Sequence, residues 1–285
     1  MLQHQVIACI DPSPYAEAVC DYATWAAIQL QAPLMLLHAI DKAQHTQTPD
    51  LSGSIGLGSQ ELLLQQLVAL DEKHSTLALE RGRVMLAAAK ARAEHAGVSD
   101  VKEHLQHNTL LHTLKALEPD MRLLVLGKRG AQSAEEHGQL GFHIEQVVRS
   151  VPRPILLAQQ QFKAPLRIML AYDGSTTAQK SLTMLAASPL CRGLLIHVVY
   201  ASNRAEAAEL AVEAAALQLR EAGFSTQTAI VVGEPDEVLH TYQQQHHIDL
   251  LIMGAYGHSR IRQFILGSTT TAMMRNAKCA LLILR

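Results

Sequence analysis

Three glycines and a serine at fixed spacing stand out in this 285-residue chain. Gly254, Gly257, Gly267 and Ser268 form the pattern G-x2-G-x9-G-S, and Thr269 follows directly. The pattern begins where the apolar run 250–253 ends and closes where a helical stretch, 269–276, begins. Glycines at the end of a strand let the backbone come close to a ligand and adopt positive φ. Free N–H groups at the start of a helix, with the positive end of its dipole, favour a phosphate. The hydroxyls of Ser268 and Thr269 can donate as well. Asp173 follows a second apolar run, 168–171, and its carboxylate could accept ribose hydroxyls or bind the edge of an adenine. Bland readings exist for both features: a tight strand-to-helix turn for the glycines, and a helix cap or turn for Asp173.

These residues sit in a chain that repeats. The segment around Asp11 resembles that around Asp173, and Leu36-Leu37-His38 resembles Leu195-Ile196-His197. Leu123 to Gly127 resembles Leu250 to Gly254, and 154–157 resembles 280–284. Asp11 and Asp173 are 162 positions apart, whereas Gly127 and Gly254 are 127 apart. The first copy is therefore 35 residues longer, and most of the excess lies between His38 and Gly127. The surplus is assigned to an insertion at about 44–75, made of a Gly/Ser/Thr/Pro-rich loop over 44–60 and an extra helical stretch after it. The division falls near residue 160, giving domains of 1–160 and 161–285 joined through 159–165.

Each copy alternates short, continuously apolar runs with helical patterns. Such runs mark parallel strands buried on both faces. Helices are expected at 16–30, at 75–96 with Gly97 as the stop, before Pro189, and at 205–222 with Gly223 as the stop. In the last of these, Leu210, Ala214 and Leu217 form the expected apolar face. The fold class is α/β, with two doubly wound, mostly parallel five-stranded sheets carrying helices on both faces.

Composition narrows the function. With 24 Lys+Arg against 26 Asp+Glu, the chain has no overall field to hold nucleic acid or an anionic membrane. The first 160 residues carry net −4 and the remainder net +2, so the second copy is the better host for an anion. Cys9, Cys20, Cys191 and Cys279 form no C-x-x-C pair and read as buried free thiols of a cytoplasmic protein. No apolar run near the start is long enough for a signal or a membrane span.

With Asp173 and the glycine pattern in place, the sequence resembles the universal stress protein family in its tandem two-domain form. The resemblance implies ATP, ADP or AMP as the ligand, with Mg2+ accompanying the phosphates. It assigns Ala171, Asp173, Val198, Met253 and Gly254 to adenine and ribose. It assigns Gly257, Gly267, Ser268 and Thr269 to the phosphates. It also implies that 155–158 and 280–284 pair as last strands, so that one chain mimics a dimer and two chains could associate further. The usual proline of the family's ending is Ala280 here.

The first copy departs from the pattern. Gly127-Lys128-Arg129-Gly130 is followed by ten residues rather than nine, then Gly141 and Phe142 where a hydroxyl residue belongs. Cys9 and Ala39 replace Ala171 and Val198, and Glu135 and Glu136 add negative charge. The first copy is expected to have lost nucleotide binding.

Arg260, Arg262 and His258 lie within the second glycine loop and could supplement it. His104, His107 and His112 come nearest to a metal pattern, in a strand and a loop, but lack the tight spacing zinc requires. His38 and His197 read as structural. No nucleophile elbow, P-loop or bracketing carboxylate pair is present, so no catalytic residue is assigned. The leading function is a non-enzymatic, ATP-binding stress-response module. A slow ATPase, an adenylating enzyme and a ligand-free scaffold remain open.

Overall fold

The computed structural model describes residues 4–40, 57–129, 142–201, 208–254 and 267–285, with side chains in those ranges except 57–65, 71 and 142–143. The elements of the first half are β1 (Gln5–Cys9), α1 (Ala16–Leu30), β2 (Leu34–Ile40), α2 (Leu57–His95), β3 (Val101–His107), α3 (Leu110–Leu117), β4 (Met121–Gly127), α4 (Phe142–Ser150) and β5 (Ile155–Ala158). Those of the second are β6 (Arg167–Tyr172), α5 (Thr176–Ala187), β7 (Leu195–Ala201), α6 (Ala208–Glu221), β8 (Ser225–Val231), α7 (Pro235–Gln245), β9 (Leu250–Gly254), α8 (Ser268–Asn276) and β10 (Ala280–Leu284).

The ten strands form one sheet in the order β3-β2-β1-β4-β5-β10-β9-β6-β7-β8. Within each half every pairing is parallel, and the order steps outward from the first strand in both directions. The halves join where β5 and β10 run antiparallel, with Leu282 opposite Leu156. The two five-stranded sheets thus merge into one, as pairing of the last strands implies. One face packs against α1, α2, α5 and α6 through residues such as Ala8, Leu36, Leu170 and Ile252. The other packs against α3, α4, α7 and α8 through Ile7, Leu124, Met169 and Leu251. Alternate residues of one strand serve opposite layers, which is why the strands read as unbroken apolar runs.

Pseudo-twofold capping secures the seam. Arg285, just after β10, donates to the carbonyls of Val148, Arg149 and Val151 at the end of α4. Gln159, just after β5, donates to the carbonyls of Ala277 and Cys279 beyond α8. Each last strand therefore satisfies orphan carbonyls at the end of the other half's last helix. The connecting segment is pinned as well. Phe162 meets Tyr22 edge-on at 4.8 Å, and the Asp249 carboxylate accepts from the N–H groups of Leu166 and Arg167 and pairs with Lys163 at 2.5 Å.

Several expectations are met locally. Gly97 and Gly223 sit at φ +104° and +90° where α2 and α6 stop, a conformation a Cβ would penalise. All four cysteines are free, and burial pushes the Cys20 and Cys279 thiols up to about 11. Three expectations are corrected. The extra helical stretch and the helix expected at 75–96 are one continuous helix, α2, which begins at Leu57, so the end of the presumed loop is helical. The stripe Leu210, Ala214, Leu217 faces solvent, with Leu210 83% exposed, while Val212, Ala215, Ala216 and Leu219 are buried. Two apolar stripes run along α6, and periodicity alone cannot say which one meets the sheet. His112 lies on α3 rather than in a loop.

Candidate functional site

Strand β6 lies between β7 and β9, and the chain order reverses at the β6/β9 boundary. That is the switch point where open α/β sheets form a crevice beyond the carboxyl ends of their strands. Asp173 emerges there from β6 and Gly254 ends β9. Asp173 is exposed; its Oδ1 accepts from the N–H of Ser175 at 2.9 Å, an Asx turn. Ser175 in turn caps α5 by accepting from the N–H of Ala178 at 3.1 Å. Gly174 supplies the positive φ, +72°, that the turn requires. Burial, and then Asp173 and Tyr200, push the Tyr172 phenol upward.

Gly254 is a glycine because α5 crosses directly over it. A Cβ there would lie 2.9 Å from Thr177 Cγ2 and 3.2 Å from Ser181 Oγ. The first turn of α8 is anchored to the same point, with Thr270 Oγ1 donating to the carbonyl of Gly254 at 3.3 Å. Gly267 is the N-cap of α8 and makes no side-chain cap bond, leaving the first-turn N–H groups without a side-chain acceptor from that position. Its φ of −60° is open to any residue, so the glycine there is not needed for its backbone angles. Ser268 is exposed and Thr269 half-buried in the same turn.

The structure therefore brings Asp173, Gly254, Gly267, Ser268 and Thr269 to one edge. Ala171 and Met253 belong to the layer beneath them on the α7/α8 face. Val198 does not join that layer: it pairs with Leu170 and is fully buried under α5 and α6, while Val199, paired with Ala171, shares the face of Met253. Any part played by Val198 would fall to its backbone. Gly257, His258, Arg260 and Arg262 lie outside the described residues. Sequence reading missed Thr177 and Thr270. The one signal for them was their closeness to Ser175 and to the glycine pattern.

The equivalent edge of the first half is built differently. Asp11 is half-buried, and its Oδ1 accepts from Ser13 Oγ at 2.5 Å and from the Ser13 N–H at 3.3 Å. Tyr15 takes the place of Thr177 and closes over Gly127, where a Cβ would lie 2.7 Å from Tyr15 Cβ. Lys128 turns away from the edge. It is 6% exposed, and its Nζ donates to the carbonyl of Ala277 in the other half. Burial brings its pKa down to about 8. Gly130, Glu135, Glu136 and Gly141 lie outside the described residues, as does the side chain of Phe142.

His38 and His197 serve packing. His38 Nδ1 donates to the carbonyl of Ile10 at 2.7 Å, and the buried His197 bonds Tyr242 Oη at 2.9 Å. Among the described residues no three His, Cys, Asp or Glu side chains gather as metal ligands, and no helix is long and apolar enough to cross a membrane.

Comparison with known proteins agrees with this architecture. The model of the universal stress protein family matches twice, over residues 3–159 and 166–285. Universal stress protein Slr1230 of Synechocystis sp. is 37% identical over 284 residues, covering 98% of this chain and 99% of its own. A universal stress protein structure from Archaeoglobus fulgidus shares the fold with a TM-score of 0.70 at 18% identity, covering 100% of this chain and 99% of that one. A putative universal stress protein from Pseudomonas aeruginosa aligns with a TM-score of 0.62 at 15% identity, covering 99% and 93%. The chain belongs to the universal stress protein family, whose fold it carries twice within one continuous sheet.

Proposed function

We propose that the second half binds one adenine nucleotide, ATP first and ADP or AMP as alternatives, at the carboxyl edge of β6 and β9. The observation that carries this is the convergence there of an exposed Asp173, the closely packed Gly254 and an α8 whose N-cap offers no side chain. Asp173 accepts from the ribose hydroxyls or the adenine edge, and Ala171 and Met253 supply the apolar layer beneath the base. The first N–H groups of α8, with Ser268, Thr269 and Gly257, hold the phosphates, whose charge Mg2+ would offset. The protein acts in the cytoplasm as a non-enzymatic module of two units dividing near residue 160. Nucleotide favours one arrangement of the second unit and so signals through it. The first unit binds no nucleotide, because Tyr15 closes over Gly127 at its edge and Lys128 is turned away to the seam.

Calorimetric titration with ATP tests this. One nucleotide per chain is expected, and Gly267→Val combined with Ser268→Ala should abolish binding while the thermal unfolding transition persists. Unchanged affinity in that variant, or two nucleotides per chain, would overturn the reading.

A further inference from the structure

Among the described elements, α2 differs most in length between the halves. It has 39 residues, about 58 Å at the helical rise, where α6 has 14. Its C-terminal part is seated on the body. From Gly82 onward it packs against His38 and Leu105, buries Leu86, Ala89 and Ala93, accepts the Cys20 thiol at the Ala89 carbonyl, and binds Asp21 bidentately through Arg92 at 2.6 and 2.8 Å. Between Gln66 and Arg81 none of the described side chains is buried. Of the described side chains from Gln66 to Leu77, all but Leu67 are exposed. A projecting helix with no packed face has little to hold it in water. Yet this one carries Leu70, Leu77 and Val84, spaced by seven and more than half exposed. Leu67, His74 and Arg81, also spaced by seven, lie three residues before each. Together they make a heptad seam with polar residues at two positions, the arrangement that fixes register in a coiled coil.

We propose that this seam of α2 pairs antiparallel with the same seam of a second copy of the chain. Charge selects the occupant and the direction. Setting Leu67 opposite Val84 of the partner subunit places His74 opposite Leu77 of the partner subunit and Leu70 under the aliphatic stem of Arg81 of the partner subunit. The same alignment sets Lys73 beside Glu80 of the partner subunit, and a twofold axis makes that ion pair twice. The β5 and β10 strands are already consumed by each other within the chain, so a second chain must use another surface.

The test is the mass of the full-length protein in sedimentation equilibrium at micromolar concentration. The proposal expects a dimer. It expects Leu70→Asp with Leu77→Asp to raise the dimer dissociation constant by at least about tenfold, with no change in the unfolding of the sheet core. Lys73→Glu and Glu80→Lys should each weaken the dimer, and the double swap should restore it. A monomeric wild-type chain, a Leu70→Asp/Leu77→Asp variant that dimerises as well as wild type, or a double swap weaker than either single change would overturn it.

Discussion

The carboxyl edges of the two halves start from one plan and are packed differently. Both have an aspartate after the first strand and a glycine at the end of the fourth. In the second half the aspartate is exposed and a threonine methyl approaches the glycine. In the first, a serine hydroxyl engages the aspartate, a tyrosine lies over the glycine, and the next residue reaches across to the other half. A βα edge can keep its polar side chains exposed, where a ligand can meet them, or cover them with neighbouring side chains. A tandem protein can do one in each copy because the seam, not the edge, holds the copies together.

The seam should behave symmetrically even though the edges do not. Leu156→Ala and Leu282→Ala, opposite each other in β5 and β10, should each cost about 2–5 kcal/mol. In denaturant melts the double variant should depart from additivity because the side chains share one contact. Unequal costs would show that one half relies on the seam more than the other.

Lys128 gives the next largest effect. Its ammonium is held near pKa 8 rather than the ordinary 10.5, so between those values the unfolded chain binds the proton and the folded one does not. Stability should therefore rise as pH goes from about 8 to 10.5, by up to about 3 kcal/mol. Lys128→Met should remove that rise and be neutral or stabilising at pH 7, since Gln159 still donates to the Ala277 carbonyl. Unfolding measured across that pH range decides it.

The edges themselves separate under paired aspartate substitutions. Asp173→Ala should weaken nucleotide binding about tenfold, near 1.4 kcal/mol, while Asp11→Ala leaves affinity unchanged in the same titration. Equal losses would erase the functional contrast between halves. The smallest effect is expected at Glu145, which Arg149 and Arg275 bridge between α4 and α8 at 3.4 and 3.0 Å. Both arginines are about half exposed, so Glu145→Gln should shift stability by under about 1 kcal/mol, and less in high salt.

Much of the fold was legible because buried parallel strands leave an unmistakable mark: 250–253 and 280–284 are apolar at every position. The edge strands β3 and β8 carry a weaker mark, since Val101–His107 and Ser225–Val231 are partly open to solvent and mix polar with apolar residues. Helix α2 was read short because its N-terminal part lacks a core-facing stripe. On α6 two apolar stripes compete, and periodicity does not say which one meets the sheet. At the site, Asp173 and the glycine pattern could be found from type and spacing. Thr177, Thr270 and Tyr15 could not, because nothing local says which residue a neighbouring strand will meet.

The sequence by itself determined that there are two copies, that each is a doubly wound α/β unit, and that only the second keeps the glycine pattern. These depend on local order and on periodicity, which are written along the chain. The tertiary structure decided that the copies share one ten-stranded sheet, that Val198 points away from the layer of Ala171 and Met253, and that Lys128 crosses the seam. Each of these depends on strand register and on contacts between residues more than a hundred positions apart or on opposite sheet faces. A shift of one residue in register would have reversed every such facing.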